Sequence, residues 1–233
     1  MTGKKWLISI AYDSPALPGF EEGWGFSALV RSEEGIVLFD CGWDGRLLKD
    51  NLSRLGSAVS EIDRVVISHS HWDHIGGLPA IVRDPEIKRS LEVIVPAGFS
   101  RNLQNELGRW SSVIEVSSAR EVQPGIWATG PLGGEIAEQA LVLRGESGAA
   151  VLTGCGHPGL DAVLAGGSMH GHVRHLIGGL HDCGLAELER SLGENPEMSA
   201  VLCHCTRCKA EALAAMPRRV RIGAAGEIFE VRL

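Results

Sequence analysis

The run Ser68-His69-Ser70-His71-Trp72-Asp73-His74 places three imidazoles and a carboxylate within six consecutive residues. Neutral imidazole and carboxylate are the donors that zinc and other first-row divalent cations take, so this density of them is the chemistry of a metal site. The run follows Val65-Val66-Ile67, an apolar stretch that reads as a buried strand. Where such a strand ends the chain turns. That turn lets His69 and His71 face one cation while Asp73 and His74, further round, face a second. A solvated polar loop has no need of the spacing H-x-H-x-D-H.

Further donors lie far along the chain. His157 sits in the glycine-rich turn Gly154-Cys155-Gly156-His157-Pro158-Gly159, and is the expected third ligand of the first cation. His181 follows Gly178-Gly179-Leu180 beyond another apolar run; it either replaces one of these ligands or acts on substrate. The segment Cys203-His204-Cys205-Thr206-Arg207-Cys208 contains a C-x-x-C pair. A structural zinc wants four ligands and no second C-x-x-C occurs, so no separate zinc site is expected there. His170 and His172 precede a strand and are expected on its solvent side. Arg207 is the candidate partner for a substrate phosphate or carboxylate. No G-x-S-x-G elbow, P-loop or G-x-G-x-x-G stands in a strand–turn–helix setting, so covalent serine catalysis and nucleotide cofactors lack support.

The elements that must position these residues follow from periodicity. Strands are expected at 5–11, 26–31, 35–40, 64–68 and 91–96, with helices at 45–55 and 75–83. The second half predicts strands at 113–116, 126–129, 139–144, 149–153, 173–177, 199–203, 219–222 and 227–231. Its helices are expected near 158–166, 184–192 and 206–215. Ser32-Glu33-Glu34-Gly35 reads as a hairpin turn, and Gly125–Glu135 as a flexible lid over the site. Strand groups flanked by helices in both halves imply two sheets packed face to face with helices outside, an α+β architecture.

Composition bounds the rest. The chain has 233 residues, 44% hydrophobic and 22% charged, with a net charge of −7. Those values suit one folded domain, read here as residues 1–233, and exclude a disordered chain. An acidic total speaks against nucleic acid as a partner and favours a small-molecule substrate. No run approaches the length of a membrane span, and the first residues read as a strand rather than a leader. Six cysteines spread over so long a chain do not resemble a disulfide scaffold, so a reduced, cytoplasmic protein is expected.

The motif His69-x-His71-x-Asp73-His74 resembles the signature of the metallo-β-lactamase-fold superfamily. Leu38-Phe39-Asp40-Cys41-Gly42 resembles the strand that in that superfamily ends in an Asp and a Gly ahead of a helix. The resemblance implies an αββα four-layer sandwich over essentially the whole chain. It implies that Asp40 orients ligands without binding metal, the alternative being a polar cap for helix 45–55. It also implies that His204 is the last ligand of the second cation. Glu138-Gln139-Ala140-Leu141-Val142, Leu152–Gly159, Gly178–His181 and His204-Cys205-Thr206 are similar to the branch of dihydropterin-ribofuranosylaminobenzene phosphate synthase-like metallohydrolases. One departure stands out. Many members carry a metal-bridging Asp after the glycine at Gly154, where this chain has Cys155. Its thiol either binds metal or packs as a small buried residue beneath the turn; packing is the preferred reading.

These features imply two divalent transition-metal ions, zinc first, with iron or manganese as alternatives. A coordinated water is acidified to near neutral pH and attacks an ester-type substrate, such as a phosphoester, lactone or thioester. Asp73 is the expected orienter and proton acceptor. A synthase of the pterin-pathway type is the second reading, and a metal-dependent binding or redox protein without hydrolysis the third.

Overall fold

The computed structural model describes residues 4–233; Met1, Thr2 and Gly3, which the expected domain of 1–233 includes, lie outside them. The first half of the chain forms β1 (Lys5–Tyr12), β2 (Ser27–Ser32), β3 (Gly35–Phe39), α1 (Gly45–Arg54), β4 (Arg64–Val66), α2 (Trp72–Ile75), α3 (Leu78–Val82), β5 (Glu92–Pro96), α4 (Arg101–Leu107) and β6 (Ser112–Val116). The second half forms β7 (Arg120–Gln123), β8 (Ile126–Ala128), β9 (Leu141–Arg144), β10 (Ala149–Thr153), α5 (Leu160–Ser168), β11 (Val173–Gly178) and α6 (Leu185–Glu194). It ends with β12 (Ser199–Leu202), α7 (Lys209–Ala215), β13 (Val220–Ile222) and β14 (Ile228–Arg232).

Two seven-stranded sheets result, in the orders β14-β1-β2-β3-β4-β5-β6 and β13-β12-β11-β10-β9-β8-β7. β3 through β6 run parallel, as do β10 through β13. Strand periodicity sorts the side chains between layers. Along β3, Val37 and Phe39 join the core between the sheets, while Ile36 and Leu38 join the core beneath the first-half helices. Along β10, Ala150 and Leu152 face the other sheet, and Ala149 and Val151 face the core shared with α5, α6 and α7. Three apolar cores therefore separate four layers, helix, sheet, sheet, helix, and the α+β αββα sandwich is the observed fold.

Helix α1 shows how local sequence sets an element. Asp44 caps it, accepting from the main-chain N–H of Arg46 at 2.8 Å and of Leu47 at 3.2 Å. Leu47, Leu48 and Leu52 form its buried face. The cap is thus Asp44, which leaves Asp40 free for the site.

Several expectations are corrected. The helix expected over 75–83 is two short helices, α2 and α3, separated at Gly76-Gly77, where the loop after β3 passes so close that a side chain at Gly77 would strike the Cys41 carbonyl. The helix expected from 206 starts at Lys209, because Thr206 is tied back to the Cys203 carbonyl through its N–H at 3.2 Å and its hydroxyl at 2.9 Å. Gly125–Glu135 is no free lid: it contributes β8, whose Ile126 and Ala128 lie in the core between the sheets, and Leu132 is bonded to the Glu138 carbonyl at 2.9 Å. Helix α4, capped by Ser100, and strand β7 were not expected. Among the described residues no helix is long and apolar enough to cross a membrane.

Candidate metal centre

The candidate site residues gather beyond the carboxyl ends of strands. Asp40 follows β3, His69 follows β4, His157 follows β10, His181 follows β11 and His204 follows β12. Parallel strands present those ends at one edge of each sheet, which is where open α/β sheets build sites. The structure brings six of the expected donors together in two groups. His69, His71 and His157 form one set and Asp73, His74 and His204 another, the ligand atoms of each set lying within 4.8 Å of one another. The His71 Nδ1 to His157 Nε2 distance is 3.2 Å, and that from His204 Nε2 to Asp73 Oδ2 is 3.0 Å.

Asp40 fixes which imidazole nitrogens are free. It accepts from the Ser68 N–H at 2.7 Å and from the Ser68 hydroxyl at 2.6 Å, and it lies 2.7 Å from His74 Nδ1. When Asp40 is ionised it can only accept, so His74 then carries its proton on Nδ1 and turns the Nε2 lone pair into the site. The Ser68 hydroxyl, having donated to Asp40, accepts from His69 Nδ1 at 2.9 Å. His69 Nε2 is then left buried with no hydrogen-bond partner. An unpartnered lone pair among imidazoles and a carboxylate fits a divalent cation, and it fits no donor that the described residues supply.

Electrostatics agrees with that reading. Burial and the neighbouring imidazoles push His69 down to about 2 and His74 to about 3, so both are neutral, the form that ligates. Burial tends to raise the Asp73 carboxyl, but the His204 hydrogen bond and the imidazoles around it bring it well below the usual carboxylate range. Burial raises Asp40 to about 8 against the pull of the Ser68 donors.

Two positioning carboxylates were not found by sequence reasoning. Glu138 is buried and accepts the main-chain N–H groups of Cys155, Gly156 and His157, each at 2.9 Å, and the Thr153 hydroxyl at 3.1 Å. Burial favours its neutral form, yet His69 and the three N–H donors bring it below the ordinary glutamate value. Asp13 accepts the His204 N–H at 2.7 Å, holding a residue whose φ of 41° lies in the left-handed region. Asp13 itself is pushed up to about 7 by burial.

The donors open into a cleft of about 410 Å³. Trp24 stands on His204 with ring centroids 4.8 Å apart, and Trp72 packs edge-on against Trp43 at 4.6 Å. His181 lines this cleft beside His157, at a centroid distance of 5.4 Å, but belongs to neither donor set. It also borders a smaller neighbouring pocket that includes Arg207, which is exposed. Cys155 Sγ is buried and lies 3.2 Å from His74 Nε2, on the side of the donors. Cys205 faces Cys155 while Cys208 contacts the Cys183 carbonyl, so the C-x-x-C pair does not converge on one site. His172 is exposed as expected, whereas His170 is partly buried against Trp127.

Comparison with known proteins gives one family and three similar proteins. The family model of the metallo-beta-lactamase superfamily matches residues 23–174. The 7,8-dihydropterin-6-methyl-4-(beta-D-ribofuranosyl)-aminobenzene-5'-phosphate synthase of Methanocaldococcus jannaschii is 25% identical over 86% of this chain and 85% of its own. Among solved structures, Tm1679, a metal-dependent hydrolase of the beta-lactamase superfamily, superposes with a TM-score of 0.78 at 25% identity, over 98% of this chain and 100% of that one. YhfI of Bacillus subtilis, a metallo-beta-lactamase fold protein, gives 0.75 at 16% identity over 98% of this chain and 100% of its own, a likeness of fold alone. His181 and His204 lie beyond the segment that the family model matches.

Proposed function

Because the chain belongs to the metallo-beta-lactamase superfamily, we propose that it is a dinuclear metal-dependent hydrolase acting on an ester-type small molecule, a phosphoester, lactone or thioester. The observation that carries this is the pair of donor sets, His69/His71/His157 and Asp73/His74/His204, side by side in one cleft. Zinc is the first candidate and iron or manganese the others; bound there, such cations polarise an ester oxygen and acidify coordinated water.

The chain's own residues supply the rest. Asp40 and Ser68 hold His69 and His74 with their Nε2 lone pairs inward. Asp73, anionic and 3.0 Å from His204 Nε2, orients the attacking water and accepts its proton at Oδ2. His181, partly exposed at the cleft wall, is placed to protonate the leaving group. Trp24 and Trp72 shield the cleft mouth. The cleft volume is that of a small-molecule site, and the net charge of −7 argues against nucleic acid.

The test is elemental analysis of protein purified without chelator, followed by phosphodiester, acyl-homoserine lactone and thioester substrates. The expected result is about two metal ions per chain, and hydrolysis of at least one substrate that EDTA abolishes and added metal restores. A folded protein that binds no metal would overturn the reading. One observation favours a second reading, a synthase in a pterin-type pathway: the similarity to the M. jannaschii synthase runs along most of the chain. Turnover of its substrates together with inertness towards all three esters would select it.

A further inference from the structure

Cys155 and Cys205 stand apart from the other cysteines. Cys203, Cys41 and Cys183 are each built into one of the three apolar cores, and Cys208 packs against the third. Cys155 and Cys205 belong to none of them, although they are only 3% and 6% exposed. Their Sγ atoms are 3.3 Å apart. The Cys155 thiol groups with His69 and His74 on one side, and with His204 and Cys205 on the other, all within 4.8 Å.

Both thiols are held in that direction by their backbones. The Cys155 N–H donates to Glu138 at 2.9 Å and its carbonyl accepts from His181 at 2.6 Å. Thr206, next to Cys205, accepts the Leu180 N–H at 2.9 Å and donates to Cys203. Gly179 leaves the room that the Cys205 sulfur occupies: a Cβ there would stand 2.8 Å from Sγ.

Charge gives the thiols a purpose. The two donor sets hold one carboxylate, Asp73, and five imidazoles, which bring no negative charge of their own. A pair of divalent cations in so buried a site needs more negative charge than one carboxylate provides. Two thiolates supply it.

We infer that Cys155 and Cys205 are metal ligands, Cys155 serving both donor sets and Cys205 the set of Asp73, His74 and His204. The inference rests on the metal-dependent reading above. On binding, each S–H bond breaks, its proton passes to solvent and a sulfur–metal bond forms. Thiolate donors select zinc, iron(II) or cobalt(II) over magnesium and calcium.

Metal-free protein kept under reductant is titrated with cobalt(II) and followed by near-ultraviolet absorption and elemental analysis. The wild type should develop an intense thiolate-to-cobalt charge-transfer band. Cys155→Ser, which removes sulfur from both sets, should lower it by about two thirds and Cys205→Ser, which removes it from one, by about a third, and Cys208→Ser, outside the cluster, should leave it unchanged. Cobalt bound without the band, or a band that survives both substitutions, overturns the inference while leaving the hydrolase reading standing; a wild type that binds no cobalt overturns both. Should a serine variant fail to fold, iodoacetamide labelling of the wild type reads the same point. Cobalt should slow alkylation of Cys155 and Cys205 about tenfold or more, and equal rates with and without cobalt overturn it.

Discussion

Glu138 Oε2 accepts the main-chain N–H of His157 at 2.9 Å, nineteen residues along the chain, while Oε1 takes those of Cys155 and Gly156. The turn between β10 and α5 has no regular partner for these groups, since α5 starts only at Leu160. Gly156, at φ +68°, lets the chain bend so that successive N–H groups converge on one carboxylate. The geometry of His157 is therefore set by a residue on a different strand connection.

Replacing Glu138 by Gln tests that arrangement. The amide keeps one acceptor but puts an NH2 group against the His157 N–H, leaving a buried donor unpaired at a cost of about 1–3 kcal/mol. Urea denaturation should show that loss. Cation affinity at the His69/His71/His157 set should fall about 10–100-fold, the usual effect of removing a group that orients ligands. Unchanged stability and affinity would show that the turn holds itself.

Asp40→Asn bears on the imidazole tautomers. The carboxylate accepts from Ser68 twice and from His74 Nδ1. An amide nitrogen facing His74 favours the tautomer protonated on Nε2, the nitrogen that must ligate. Isothermal titration with zinc should show affinity reduced by about 10–100-fold, with the fold retained. Wild-type affinity in that variant would mean that Asp40 serves stability alone.

Much of this site was legible in the sequence because its ligands cluster in one motif or follow apolar strands. His69 to His74 span one turn, and His157, His181 and His204 each come after a run of buried β-residues. The carboxylates that orient them were not legible in the same way. Asp13 and His204 are 191 positions apart, and nothing local distinguishes a carboxylate that gathers main-chain N–H groups from one on a surface. Glu138 carried a weak signal, since it precedes the apolar run Ala140-Leu141-Val142-Leu143, where an unpaired charge is costly. Helix α4 was missed because it is short, with only Leu107 buried. Strand β7 was missed because Arg120 and Glu121 are exposed and give the segment the look of a loop.

Asp73→Asn separates binding from turnover. Asn keeps the shape but loses the charge held against His204, and with it the proton acceptor. Hydrolysis of the best ester substrate should drop at least about 100-fold, while His69, His71 and His157 still retain metal by elemental analysis. Near-normal turnover would show that Asp73 is neither acceptor nor ligand.

Acid stability should depend on Asp63, far from the cleft. Its Oδ2 accepts the Ile36 N–H at 2.8 Å, and its Oδ1 takes Lys88 Nζ at 2.6 Å. The carboxylate fills the space beside Gly35, where a side chain would collide with it, so hairpin, strand β3 and carboxylate fit as one unit. Burial on its own raises the Asp63 carboxyl, but the Lys88 hydrogen bond, the Ile36 N–H and the nearby Lys88 and Arg64 charges bring it below the ordinary aspartate value. The folded chain thus binds this proton more weakly than the unfolded chain does. The stabilisation is full above the unfolded-chain value of about 3.9 and is lost as pH falls through the lower folded value. Partial exposure screens the pair, so the effect should be no more than about 1 kcal/mol. Urea denaturation of the wild type and Asp63→Asn at neutral pH should show the variant less stable by that order. The gap should close as the pH is taken below the ordinary aspartate range; a gap that stays constant or widens on acidification would show that the charge of Asp63 does not contribute.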